Sequence, residues 1–200
     1  IPNFLSAPQN SSGDQSLSGL EKSVFTFAFL GSFSPQKRVR LLIEAFDIAR
    51  RENPNIHLLL AGAGAQRGSL EALVIEKGLM PNVSFLGQVS DVGSLLRMSD
   101  ALVLPSAFEG FPNALQEAML AGLPCIAFDV PTGPRELFEC STLGQLLPGD
   151  GDEYVLGEAM AEEAERVYAD SDRRAQVNRI RLKYDSDRVL QQWRDVIESV

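Results

Sequence analysis

Two glutamates eight positions apart, Glu109 and Glu117, bracket the stretch EGFPNALQE. Glycine and proline after Glu109 predict a tight turn, and Asn113 is placed to cap a helix over residues 114–121. The start of a helix presents free N–H groups and a partial positive charge, which suit a diphosphate. Because a carboxylate accepts hydrogen bonds from neighbouring hydroxyls, one glutamate suits a ribose and the other a sugar. The spacing therefore fits a nucleoside-diphosphate sugar; the alternative is a pair of solvent-facing glutamates on an ordinary helix.

A second loop, Gly31–Arg38, also precedes a predicted helix and carries two adjacent cations, Lys37 and Arg38. Cations at the N-terminus of a helix oppose the helix dipole. A phosphate bound between them would relieve this conflict, with lysine acting as a point charge and arginine as a fork. The alternative is a solvated lysine–arginine pair.

Two further loops carry weaker signals. The run Gly62–Gly68 has the spacing G-x-G-x-x-x-G, and no acidic residue follows at the next strand end. A tight turn beside a ligand is therefore favoured over a nicotinamide cofactor. In VSFLG, the backbone around Phe85 and Leu86 lies at a predicted strand end, where it could bind a flat base.

Short apolar runs precede these loops and alternate with helical patterns. Strands are predicted at 24–30, 56–61, 83–86, 101–104, 125–128 and 143–147. Helices are predicted at 37–51, 69–77, 91–98, 114–121, 134–138, 152–169, 171–183 and 185–199, with Asp91 and Gly122 as end signals. This order predicts an α/β fold, a Rossmann-like doubly wound parallel sheet of about six strands with C-terminal helices. Ligands of such sheets bind at the carboxyl ends of the strands, where the loops above lie.

Composition excludes several classes of function. The 200 residues carry a formal net charge of -9, which argues against a nucleic-acid partner. One histidine, His57, and two separated cysteines, Cys125 and Cys140, give no zinc site, so no metal is expected. Neither a signal peptide nor a bilayer-spanning apolar run is expected from the sequence, which predicts a reduced cytoplasmic protein.

The chain divides into three parts by composition. Residues 1–22 open without methionine and become rich in Ser, Gly, Gln and Asn, which predicts a partly flexible linker remnant in a piece of a longer protein. Residues 23–150 carry the predicted nucleotide-sugar-binding sheet. Residues 151–200 carry only helical patterns and are predicted to belong to the same domain.

Taken together, these motifs resemble the C-terminal, donor-binding domain of retaining GT-B glycosyltransferases of family 4. The resemblance covers residues 1–5 and 23–197, through the stretches FLGSFSPQKRVRLLIEAF, LLLAGAGAQRGSLE, NVSFLGQV, SDALVLPSAFEGFPNALQEAMLAGLPCIAFDVPTGPREL and DRVLQQWRDVI. It implies that Glu109 contacts the donor sugar near the reacting carbon, as the catalytic residue, and that Glu117 binds the ribose. It assigns the donor sugar and diphosphate to Lys37, Gly110, Phe111, Pro112, Asn113, Ala114 and Leu115.

One departure from the family affects the diphosphate site. Ser32 stands where many members have arginine, and Arg38, where glycine or asparagine is common, is expected to compensate. Phe85 and Leu86 are the predicted base-binding residues.

The resemblance also implies the reaction. It implies transfer with retention from a nucleotide sugar, with Lys37 and helix amides stabilising the leaving UDP and no cofactor. The stretch DVPTGPRE suggests a UDP-linked hexose or N-acetylhexosamine, used in polysaccharide or lipid-linked glycan assembly.

The saccharide or lipid-linked acceptor would be held by an N-terminal domain that this chain lacks, so the chain alone is expected to transfer little. The alternative to a cytoplasmic location is a peripheral one at the inner face of the cytoplasmic membrane. The alternatives are a non-catalytic nucleotide-binding module and an epimerase or phosphorylase of the same fold.

Overall fold

The computed structural model describes residues 24–141 and 143–184. They form one six-stranded sheet in which every neighbouring pair of strands is parallel. The strands are β1 (Phe25–Leu30), β2 (Ile56–Ala61), β3 (Val83–Gly87), β4 (Ala101–Leu104), β5 (Cys125–Phe128) and β6 (Gly144–Leu147). All six lie within two residues of their predicted bounds, and the predicted Rossmann-like doubly wound sheet is confirmed.

Seven α-helices connect the strands or follow them in the described residues. They are α1 (Val39–Glu52), α2 (Arg67–Glu76), α3 (Val92–Arg97), α4 (Asn113–Leu120), α5 (Pro134–Phe138), α6 (Glu153–Glu165) and α7 (Asp170–Lys183). The helix predicted over 185–199 and the linker predicted over 1–22 lie outside the described residues. No helix in the described part of the chain is long and apolar enough to cross a bilayer.

The strands are apolar throughout because helices cover both faces of the sheet. Successive side chains of β1 point to opposite faces, so Phe27 and Phe29 join one buried cluster and Ala28 joins the other. The first cluster lies under α1, α2 and α6, and the second lies under α3, α4, α5 and α7. Cys125 is fully buried in the second cluster, as its apolar surroundings predict.

The strand order is β3-β2-β1-β4-β5-β6. Chain direction across the sheet therefore reverses between β1 and β4, and the loops that leave these two strands go to opposite faces. A crevice opens at such a switch point, at the carboxyl ends of the strands, and it is where ligands of open α/β sheets bind. The topology thus brings the loops around Lys37 and Glu109 together, although 72 residues separate these side chains.

Three helix ends test the predicted signals. Asp91 caps α3 as predicted, since its carboxylate accepts the Ser94 N–H at 2.9 Å. Gly122 follows α4 with φ of 78°, a left-handed conformation that suits glycine after a helix. The predicted cap at Asn113 is wrong: α4 already includes Asn113, Pro112 occupies the cap position, and no side chain caps the helix.

The predicted start of α1 at Lys37 is also wrong. Residues Pro35–Lys37 form a 3-10 turn, Arg38 adopts a left-handed conformation with φ of 49°, and α1 begins only at Val39. Proline favours the turn because its fixed φ suits a first helical position. The two adjacent cations therefore lie on a bend rather than on one helical turn.

Candidate functional site

The loops after β1 and β4 meet in an ion pair. Lys37 Nζ lies 2.7 Å from Glu109 Oε1, with the two side chains 20% and 6% exposed. The 3-10 turn presents Lys37, and the turn after β4 presents Glu109. A nearly buried carboxylate needs such a partner, because an isolated buried charge is costly. The structure thus brings together two predicted site residues from separate parts of the sequence.

The Glu109 loop is held by backbone contacts on both sides. Ala107 N–H donates to the Gln36 carbonyl at 2.8 Å, and the Gln36 side-chain amide donates to the Phe108 carbonyl at 2.9 Å. From the other side, the Thr132 hydroxyl donates to the Glu109 carbonyl. The position of the Glu109 carboxylate is therefore set by the loops after β1 and β5 as well as by its own turn.

The turn after Glu109 leads directly into α4. Gly110 is exposed, and a Cβ built on it would meet no atom within 4 Å, so its backbone is open to solvent. Pro112 is buried, and a Cβ on Gly133 would lie 2.3 Å from its Cδ. Phe111 packs against Tyr184 at the end of α7, with ring centroids 5.7 Å apart. The turn is thus fixed by its apolar residues, while its glycine faces outward.

The N-terminus of α4 offers fewer free donors than predicted. Asn113 N–H donates to the Phe111 carbonyl and Leu115 N–H to the Pro112 carbonyl, both at 3.0 Å. Ala114 N–H forms no hydrogen bond with the described residues. Of the three amides predicted for the diphosphate, Ala114 is the one available without breaking a turn.

Glu117 lies one turn into α4, and its side chain is exposed. Partial desolvation raises the pKa of its carboxyl group above the ordinary value. The carboxylate makes no ion pair or hydrogen bond with the described residues, so both of its oxygens can accept bonds from a ligand. Its use by a ribose stays a prediction.

The Arg38 side chain contacts Phe128 and Gly151 rather than the Lys37–Glu109 pair. Its guanidinium carbon lies 4.9 Å from the centre of the Phe128 ring, and Nη2 donates to the Gly151 carbonyl at 2.9 Å. The left-handed conformation of Arg38 directs the two neighbouring cations to different partners. Ser32 is exposed, and its hydroxyl lies 3.1 Å from that of Ser34. A diphosphate role for Arg38 or Ser32 stays a prediction, and these contacts do not support it for Arg38.

The predicted base-binding residues lie at the end of β3. Phe85 packs edge-on against Phe33, with ring centroids 6.0 Å apart, and the guanidinium of Arg67 lies 5.9 Å from the Phe85 ring. Leu86 is 40% exposed. The phenyl ring is therefore engaged in packing, whereas Leu86 offers apolar surface to a ligand.

The glycines of the second loop serve close backbone packing. A Cβ on Gly62, whose φ is 153°, would lie 1.8 Å from the Gly31 carbonyl oxygen, and one on Gly64 would lie 2.5 Å from that of Phe33. The loops after β1 and β2 thus touch through their main chains, which agrees with a tight turn.

Among residues 24–141 and 143–184, no group of three or more His, Cys, Asp or Glu side chains could hold a metal ion.

His57 has a structural role in this arrangement. Its Nε2 lies 2.9 Å from the Ser84 hydroxyl, bridging β2 and β3, and burial lowers its pKa.

Sequence reasoning missed Gln36, Thr132 and Tyr184, which position the Glu109 loop and Phe111. No local pattern marks these residues, because each acts through a partner at least 23 residues away along the chain.

Comparison with known proteins finds similarity to glycosyl transferases. The family described as "Glycosyl transferases group 1" matches residues 15–181. A lipopolysaccharide 1,6-galactosyltransferase of Salmonella typhimurium is 35% identical over 138 residues, which cover 66% of this chain and 38% of that protein. The Escherichia coli enzyme named UDP-Gal:alpha-D-GlcNAc-diphosphoundecaprenol alpha-1,3-galactosyltransferase is 32% identical over 129 residues, 62% of this chain and 33% of that protein.

Solved structures share the fold. A crystal structure of a mutant of S. aureus TarM in complex with Fondaparinux, alpha-GlcNAc-glycerol and UDP superposes with a TM-score of 0.80 at 19% identity. The match covers 98% of this chain and 39% of TarM. The chain therefore spans well under half the length of these three proteins. Because the family match extends over most of its length and places the Lys37–Glu109 pair and α4 inside the matched region, this chain belongs to the family of group 1 glycosyl transferases.

Proposed function

We propose that this chain is the C-terminal, donor-binding domain of a retaining GT-B glycosyltransferase of family 4. It would bind a nucleotide-diphosphate sugar, UDP-linked and carrying a hexose or N-acetylhexosamine, for transfer to a saccharide or lipid-linked acceptor. The observation that carries the proposal is the Lys37–Glu109 pair at the switch point of the sheet, beside the N-terminus of α4. A cation, a free helix amide and a carboxylate lie where a doubly wound sheet binds its ligand.

The diphosphate would lie between Lys37 and the start of α4. A lysine ammonium has three donors, and one of them is used by Glu109 Oε1, which leaves two for phosphate oxygens. Ala114 N–H adds a donor and the positive end of the helix dipole. These groups would stabilise the charge that develops on UDP as it leaves, which is the kind of contribution enzymes commonly rely on. The proposal therefore needs no metal ion or other cofactor.

The two ends of the donor would reach the two glutamates. Glu109 would meet hydroxyls of the donor sugar near the reacting carbon, with the backbone of Gly110 open beside it. Glu117, one turn further along α4, would accept bonds from the ribose hydroxyls. Leu86 and the strand end at Phe85 would flank the base.

The choice of UDP and of a glycan acceptor rests on relatives. The name of the Escherichia coli relative includes a UDP-galactose donor and a diphosphoundecaprenol-linked acceptor, and the TarM structure contains UDP. A lipid-linked acceptor would place the whole protein at the inner face of the cytoplasmic membrane. An N-terminal domain of the same protein would hold that acceptor, so the chain alone would transfer little or nothing.

Thermal unfolding of the chain with UDP, GDP, UDP-glucose, UDP-N-acetylglucosamine and NAD would test the proposal. A ligand at about a hundredfold over its dissociation constant stabilises the folded state by about 2.7 kcal/mol. We expect a uridine nucleotide to stabilise the wild type and to stabilise Glu117→Ala much less. Stabilisation by NAD alone would indicate a dehydrogenase, and no response to any nucleotide would contradict the proposed donor site.

The same chain joined to its N-terminal domain would separate the related activities. Transfer of the sugar to an acceptor supports a transferase, whereas epimerised nucleotide sugar or phosphorolysis of a glycoside would indicate the other enzymes of this fold. Nucleotide binding without any of these reactions would leave a non-catalytic binding module.

A further inference from the structure

Three contacts join two consecutive residues of the first loop to three consecutive residues of the fourth. The Gln36 carbonyl accepts from Ala107 N–H at 2.8 Å, the Gln36 amide donates to the Phe108 carbonyl at 2.9 Å, and Lys37 Nζ lies 2.7 Å from Glu109 Oε1. The contacts advance in step along both segments. They therefore fix the register of one loop against the other, across the switch point of the sheet.

We propose that Gln36 is a positioning residue for donor binding, whose side-chain amide holds the Glu109 loop where Lys37 can meet both Glu109 and a diphosphate. This inference rests on the proposed function. Of the three contacts, the Gln36 side-chain bond is the one that does not involve a charged partner or depend on the main chain alone. It is also directional, because a backbone carbonyl can only accept and the amide must donate.

Local geometry explains why this bond affects Lys37. The chain bends immediately after Lys37, where Arg38 has φ of 49°, and Lys37 ends the 3-10 turn that contains Gln36. A shift of the turn therefore moves the lysine ammonium directly. On the partner loop, the Thr132 hydroxyl holds the Glu109 carbonyl from the β5 side, so Gln36 and Thr132 restrain the loop from opposite directions.

The test uses Gln36→Met, which keeps the length and much of the volume of the side chain but cannot donate. Gln145→Met is a matched control, because the Gln145 amide donates to the Ala159 carbonyl at 3.2 Å between β6 and α6, away from the site. Titration calorimetry with UDP should show binding about three- to tenfold weaker for Gln36→Met, the effect of one lost hydrogen bond. Gln145→Met should bind UDP as the wild type does.

A second measurement needs no ligand. If Gln36 positions the ion pair, Glu109→Gln should shift the urea midpoint less in the Gln36→Met background than in the wild type, because the pair is already loosened. A general structural role would instead give additive shifts. Equal UDP affinities of Gln36→Met and wild type, or additive shifts, would overturn the inference. If the wild type binds no nucleotide, the proposed function fails, and the urea cycle alone decides whether Gln36 positions the pair.

Discussion

The ammonium of Lys37 lies 2.7 Å from Oε1 of Glu109, and this pair joins the two loops that diverge at the switch point of the sheet. Glu109 is the more buried partner, at 6% exposure against 20% for Lys37. The pair therefore serves stability and the proposed function together. Removing the cation leaves a nearly buried carboxylate without an ion-pair partner among the described residues, whereas removing the carboxylate leaves a lysine that can still reach water.

Lys37→Met should reduce both stability and donor binding. We expect the free energy of unfolding to fall by about 1–3 kcal/mol, because the Glu109 carboxylate loses its charged partner. Urea denaturation measures this loss. In the presence of UDP, the variant should show little or no gain in stability, since Lys37 is the proposed phosphate ligand.

Its neighbour Arg38 provides the contrast. Arg38→Met removes a cation over the Phe128 ring and a bond to the Gly151 carbonyl, which should cost about 1 kcal/mol of stability. The UDP affinity should stay close to that of the wild type. Equal losses of UDP affinity in Lys37→Met and Arg38→Met would instead support the sequence-based prediction that Arg38 binds the diphosphate.

Two glycines of the second loop should respond in opposite ways to alanine. Gly62→Ala places a Cβ 1.8 Å from the Gly31 carbonyl oxygen, so the loop before Lys37 must move, and we expect loss of stability together with loss of UDP binding. Gly68→Ala adds a methyl group that meets nothing within 4 Å, near the start of α2, and should be neutral or stabilising. Thermal unfolding with and without UDP measures both. Tolerance of Gly62→Ala would show that the two loops do not need this close approach.

The sheet could be predicted from the sequence because a doubly covered parallel sheet leaves its signal locally. Runs such as ALVL and CIAF are apolar throughout, with Pro105 directly after the first and Pro124 directly before the second. The observed strand order, β3-β2-β1-β4-β5-β6, is the usual order of a doubly wound sheet built from alternating strands and helices. Lys37 and Glu109 could be selected because they lie in loops that follow strands, and Glu117 because it lies one turn into a predicted helix, which is again local information.

The contacts that hold the site could not be predicted in this way. The bond from Gln36 to Phe108 joins residues 72 positions apart and depends on the strand order. Adjacency in the sequence predicts a shared role for Lys37 and Arg38, but the left-handed conformation of Arg38 turns the two side chains in different directions. Asn113 has the side chain of a helix cap, yet Pro112 occupies the cap position and the helix includes Asn113. In each case tertiary packing prevails over a local preference.

Glu163 should make stability depend on pH. Burial raises the pKa of its carboxyl group from 4.5 to about 7, against the opposing hydrogen bond from Tyr168 and the charges of Arg166 and Arg173. A raised pKa means that the folded state binds the proton more tightly. The stabilising contribution is therefore complete below pH 4.5 and is lost as the pH rises to about 7. Glu163→Gln should remove this pH dependence. At higher pH, its free energy of unfolding should exceed that of the wild type by up to about 3 kcal/mol.

Urea denaturation across this pH range would test the prediction for Glu163. Glu162→Gln is the matched control, because Glu162 is exposed and pairs with the same Arg166. It should keep nearly all of the pH dependence of the wild type, because the charge of Glu162 is the smallest of the causes that shift the Glu163 pKa. Parallel stability curves for Glu163→Gln and the wild type would show that Glu163 keeps its charge at no cost in the folded protein.

Tyr184 should connect α7 to the Glu109 loop through its ring and not through its hydroxyl. The side chain is fully buried, its ring packs on Phe111, and its hydroxyl has no hydrogen-bond partner among the described residues. Tyr184→Phe should be neutral or up to about 1 kcal/mol stabilising, since it removes an unsatisfied buried group. Tyr184→Ala should cost about 3–5 kcal/mol and weaken UDP binding, because Phe111 loses the surface that fixes the start of α4. Urea denaturation and UDP titration of both variants measure these effects. A large loss in Tyr184→Phe would mean that the hydroxyl is bound in solution and that the link is polar.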